Sequence, residues 1–145
     1  MTTTVNAYIK LVSASLQQVI TIDEVKELLN YYKDITNKTG HQVNWDYMNH
    51  AFPYEIKETE DGKGKWIYLK SASDRYNIII IGVNQKKIIE NDIETIQSYI
   101  QIALTDSSTF GDKSKANELC KFLSKQLKAE LHLFNNRIIY YYPRR

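Results

Sequence analysis

The chain has 145 residues, a length typical of a single hydrophobic core, and it can bury roughly 68–70 % of its unfolded surface without disulfide or metal staples. Its composition, 43 % apolar and 25 % charged, is that of an ordinary globular domain. A net charge of only +2 argues against a dedicated nucleic-acid binder, although residues 112–145 carry eight Lys/Arg against three Asp/Glu and leave −3 on the first 111 residues.

In chain order, "VNAYIKLV" at 5–12 reads as a first strand, rich in β-branched and aromatic residues. "TIDE" then opens a helix over about 22–39, with Thr21 as its cap and Glu24 completing a capping box. Val25, Leu28, Leu29, Tyr32 and Ile35 recur at helical spacing as one apolar stripe, and Gly40 offers a stop. Residues 41–52 have no clean period and read as an irregular aromatic segment packed on the body. A strand from about Tyr54 to Thr59 turns through "EDGKGK" into "KWIYLKS", and "SASD" turns again into "RYNIIIIGV". Four consecutive isoleucines leave no polar face, so that strand belongs at the centre of a sheet.

Residues 85–105 fit two periods: Ile89, Ile93, Ile96 and Ile100 are spaced as in a helix, while Ile100, Ile102 and Leu104 alternate as in a strand. The β-rich "SYIQIAL" favours a strand over about 97–105, with a short hairpin or turn before it. "DSSTFGD" leads into a second helix over about 113–129, with Ala116, Leu119, Cys120, Leu123 and Leu127 on its buried stripe. "ELHLF" and "RIIYYY" close the chain as a hairpin through "NN", ended by Pro143. The expectation is one α+β domain over 1–145: a mainly antiparallel sheet of about six or seven strands with two amphipathic helices, in the order β-α-β-β-β-β-α-β-β.

Chemistry is sparse. "GDKS" at 111–114 resembles the end of a P-loop, but the motif needs a glycine where Asp106 stands. His41, His50 and His132 lack metal-ligand spacing, and Cys120 has no second cysteine, so no metal, no cofactor and no catalytic residue is expected. A lone cysteine suits a reducing compartment. The N-terminus lacks a signal-peptide pattern and no apolar run can span a bilayer, so a cytoplasmic protein with no membrane partner is expected.

What remains is surface. Eleven tyrosines, against four phenylalanines and two tryptophans, suit half-buried strands and interfaces. Several strands carry apolar bodies on both faces: one face is expected to receive the helices, the other to be lined by Tyr8, Trp66, Tyr68 and either Tyr141 or the pair Tyr140 and Tyr142. Unless the helices take opposite faces, or "NWDYMNHAF" folds across the sheet and buries it within the chain, such a face points to a non-enzymatic binding protein whose partner is a second copy or a different protein. A small enzyme with a pocket near the 106–114 loop is the alternative from another class. Third comes a binder of an acidic polymer through Lys121, Lys125, Lys128, Arg137, Arg144 and Arg145, with the tyrosines as stacking surfaces.

The stretches "AYIKLV", "AFPYEI", "QSYIQIAL", "GDKSKANELCKFL", "ELHLF" and "YYYP" together resemble a family of small uncharacterised proteins from Bacillus and its relatives, catalogued only as a domain of unknown function. The resemblance covers about Ala7 to Pro143. It implies a compact bacterial α+β protein and supplies no activity, cofactor or site residue.

Overall fold

A computed structural model describes residues 5–43, 53–71 and 75–142. The elements follow the expected order: β1 (Val5–Lys10), α1 (Ile22–Val43), β2 (Glu55–Lys57), β3 (Trp66–Lys70), β4 (Ile78–Glu90), β5 (Ile93–Leu104), α2 (Phe110–Leu127), β6 (Glu130–His132) and β7 (Ile138–Tyr140). All seven strands join one sheet in the order β2-β3-β4-β5-β1-β6-β7, and every pairing is antiparallel. The chain is therefore α+β, with β1 inserted between β5 and β6.

Capping chemistry sets both helix starts. Glu24 N–H donates to Thr21 Oγ1 at 3.2 Å and Thr21 N–H donates back to Glu24 Oε1 at 3.1 Å. This helix runs through Gly40 to Val43, so residues 41–43 are helical rather than irregular, and 44–52 lie outside the described residues. One interior glycine costs about 1 kcal/mol, too little to end a helix held elsewhere. The second helix starts three residues earlier than its periodicity suggests, because Thr109 caps it and shares a capping box with Asp112. It ends at Lys128, whose φ of 52° is left-handed, with Ala129 N–H closing onto the Ser124 carbonyl at 2.9 Å.

Alternation then sorts the side chains. Ala7, Ile9 and Leu11 share a face with Ile67, Leu69, Ile79, Ile81, Ile100, Ile102 and Leu131, all at 0 % exposure. Both helices pack on this face: Val25, Leu29 and Tyr32 from α1 meet Ala116, Leu119, Cys120 and Leu123 from α2 in one core. The Tyr32 and Phe122 rings meet edge-on at 5.1 Å between the helices. Each isoleucine or leucine buried there stabilises the fold by roughly 1.5–3 kcal/mol. Cys120 belongs to this core, and burial pushes its thiol up to about 12, so it is an inert hydrophobe.

One stretch leaves the body of the sheet. β3 pairs with β4 only as far as Gly82, and β1 with β5 only as far as Tyr99. Past these points β4 and β5 pair with each other up to a two-residue turn, Asn91-Asp92, with φ of 52° and 64°. The expected short hairpin before residue 97 is thus a long arm, and β5 begins at Ile93.

Candidate functional site

The sheet face opposite the helices carries the rings. Tyr8, Trp66, Tyr68, Tyr140 and Tyr142 lie on it, each half-buried, joined by Tyr99, Ile80 and Gln101. No helix among the described residues packs on this face. Tyr141 is the exception among the candidates. Alternation turns it toward the core, where it packs against buried residues, and its N–H donates to the Ala129 carbonyl at 3.1 Å. Burial, then the nearby Cys120, pushes its hydroxyl pKa up. Of the three closing tyrosines, Tyr140 and Tyr142 therefore line the open face and Tyr141 does not.

At one end this face is concave. A groove of about 640 Å³ is lined by Tyr8, Tyr99, Tyr142, Lys10, Lys86 and Glu130, among others. Tyr8 and Tyr99 stand on neighbouring strands with their rings edge-on at 6.0 Å. The wall is the loop after β1, fixed by polar side chains. Gln18 Nε2 donates to the carbonyls of Val12, Ser13 and Ser15, and Ser98 Oγ accepts from Ile20 N–H at 3.1 Å.

Glu130 organises the groove's polar side. Its carboxylate takes a hydrogen bond from Tyr142 Oη at 3.0 Å and lies 2.7 Å from His132 Nε2. Partial burial pushes the Glu130 pKa up, but His132 and Tyr142, with Lys10 beyond them, outweigh it and hold the carboxyl below its ordinary value. Further along the face, Trp66 is pinned rather than mobile. Its indole lies so close over Gly62 that any Cβ there would enter the ring, and its ring centre is 6.4 Å from that of Tyr68.

The 106–114 loop is built differently. Asp112 is fully buried, and its carboxylate accepts from Thr109 N–H at 2.8 Å, Asn77 N–H at 2.9 Å, Ile78 N–H at 3.1 Å and Tyr54 Oη at 2.6 Å. This side chain fastens α2 to the start of β4. Burial and then Asp112 itself drive the Tyr54 hydroxyl far above its ordinary pKa. Gly111 is demanded by the same packing, since a Cβ would strike the Arg75 carbonyl. The adjoining hollow, about 340 Å³, lies among Val5, Leu104, Phe110 and Lys113.

The basic residues are on the other side. Lys121, Lys125 and Lys128 are exposed on the outside of α2, across the sheet from the rings, and Arg137 is exposed in the β6–β7 turn. Arg144 and Arg145 lie outside the described residues. The pairing of these lysines with stacking tyrosines is not formed on this fold. Among the described residues no cluster of three His, Cys, Asp or Glu side chains can hold a metal, and no helix is long and apolar enough to cross a membrane.

Sequence reasoning missed Tyr99, Lys10, Lys86, Glu130 and His132 as a group. The alternation of "SYIQIAL" already sets Tyr99 opposite Ile100. Only the β4-β5-β1-β6 order, in which β1 joins segments about 90 and about 120 residues away, brings the five together.

The model of a family described as a domain of unknown function, DUF1885, matches residues 5–143. Among curated proteins nothing matches. The crystal structure of a protein of unknown function from Bacillus stearothermophilus is similar, with 36 % identity and a TM-score of 0.51 over 86 % of this chain and 91 % of that one.

Proposed function

The chain belongs to the DUF1885 family of domains of unknown function, and we propose that it is a non-enzymatic interaction protein that docks a partner protein on the open face of its sheet. One observation carries this reading: both helices cover one side, while the other side presents six half-buried aromatic rings, three of which, Tyr8, Tyr99 and Tyr142, line a groove. Tyrosine gives large contact area at low entropic cost, and its hydroxyl tolerates water until a partner arrives. Lys10, Lys86 and Glu130 at the groove give the polar rim of a recognition surface. We place the protein in the cytoplasm, as its one cysteine, buried and unpaired, supports.

The enzyme reading has weaker support. At the 106–114 loop the most chemical side chain, Asp112, is spent on four structural hydrogen bonds. Glu130 is held ionised between two partners rather than poised near neutral pH, as a general acid or base would be. Binding of an acidic polymer through Lys121, Lys125, Lys128 and Arg137 would give heparin retention that falls steeply with salt.

The test is selection of displayed random peptides on the immobilised chain. Binders that lose at least tenfold in affinity on Tyr99→Ser, and that protect Tyr8, Tyr99 and Tyr142 from ring modification, support the reading. Failure to select any binder, or binders indifferent to Tyr99→Ser, would overturn it.

A further inference from the structure

The β4–β5 arm exposes apolar surface that neither the core nor the groove uses. Past Val83 and Ser98 its two strands pair only with each other, and a lone two-stranded ribbon is marginally stable in water. Polar side chains would suit it, yet Ile89 is 74 % exposed, Ile93 62 % and Ile96 47 %, whereas Ile79, Ile81, Ile100 and Ile102 of the same strands are at 0 %. The register sets Ile89 and Ile96 on the helix side of the ribbon and Ile93 on the other, so no single neighbouring layer of this chain serves both.

The charges on the arm are arranged along its length. On the helix side Lys87 stands toward its base and Glu94 toward its tip, next to the turn residue Asp92, while Lys86 faces the groove. Within the arm, Lys87 and Glu94 form a 3.3 Å ion pair, but both are well exposed and such a pair contributes little. Two arms laid side by side in parallel would set acid against acid and lysine against lysine. Laid antiparallel about a two-fold axis with their helix-side faces together, each tip meets the other's base, and Ile89 and Ile96 meet between. The surface complements itself.

We infer that the arm is a self-association element: a second copy of this chain docks arm to arm, antiparallel, in a closed dimer. The contact lies apart from the Tyr8–Tyr99–Tyr142 surface and stands whether or not that surface binds a partner.

Sedimentation of the full chain from low to high micromolar concentration should approach twice the 17.0 kDa chain mass. The double variant Ile89→Lys, Ile96→Lys should weaken association at least tenfold while circular dichroism, and the melting temperature at a concentration where both are monomers, stay those of the parent, since the arm is outside the core. Lys87→Glu, and separately Asp92→Lys with Glu94→Lys, should each weaken the dimer, and mixing the two variants should restore it as a heterodimer. A parent that stays monomeric throughout overturns the inference. So does a dimer untouched by the arm variants but broken by Tyr99→Ser, and so does a mixture that fails to re-associate.

Discussion

The two faces of this sheet are made by the same strands, one residue apart, and they end differently. Ile79 and Ile81 are sealed under the helices, while Ile80 between them is half-buried beside Tyr68 and Ala103. Hydrophobicity does not separate these residues, since all three are isoleucine. What separates them is the layer above. The stripes of α1 and α2 converge on one side, and on the other the chain offers tyrosines, whose rings fill space while their hydroxyls stay wet. The sealed face holds the fold, and on the open face no helix among the described residues packs.

Substitutions on the two faces should therefore differ in kind. The largest effect is expected under the helices: Leu119→Ala or Ile102→Ala should cost about 2–5 kcal/mol, read as a lower urea midpoint, because the cavity cannot collapse in so tight a core. Next comes the joint between helix and sheet. Asp112→Asn leaves buried amides short of an acceptor and should cost about 1.5–3 kcal/mol in the same assay. On the open face, Tyr99→Ser should cost about 1 kcal/mol, the value of a half-buried ring with one edge contact. An open-face loss as large as that of Leu119→Ala would erase the contrast.

The smallest effect sharpens the contrast through pH. The folded-state pKa of Glu130 is lowered, so its contribution to stability is present above the ordinary carboxylate pKa of about 4.3 and is lost as pH falls through the folded value. Parent and Glu130→Gln should thus differ in urea midpoint near neutral pH and converge under acid. A gap that is constant with pH would mean that the carboxylate's charge has no part in holding Tyr142 and His132.

Much of this architecture is legible in single segments. The capping box at Thr21, the stripe of α2 and the run of isoleucines in β4 each obey local rules. The arm was obscured because Ile89, Ile93, Ile96 and Ile100 repeat at helical spacing, while their actual partner is the facing strand. Asn91-Asp92 was the available signal, a pair that accepts the positive φ of a tight hairpin turn. Alternation divided "YYYP" into two faces without assigning them. It took the Tyr141–Ala129 hydrogen bond to turn Tyr141 inward. The groove was least legible, since its residues come from β1, β4, β5, β6 and the segment after β7, and only strand order joins them.

The most direct measurement is the rate of hydroxyl-radical modification at each tyrosine ring, read by mass spectrometry on the free chain and with a selected peptide. Tyr8, Tyr99, Tyr140 and Tyr142 should react much faster than the buried Tyr32 and Tyr54 in the free chain, and Tyr8, Tyr99 and Tyr142 should become protected when the peptide binds. Rings on the open face that are already as unreactive as Tyr32 would show that face to be sealed within the chain, and would contradict the docking surface outright.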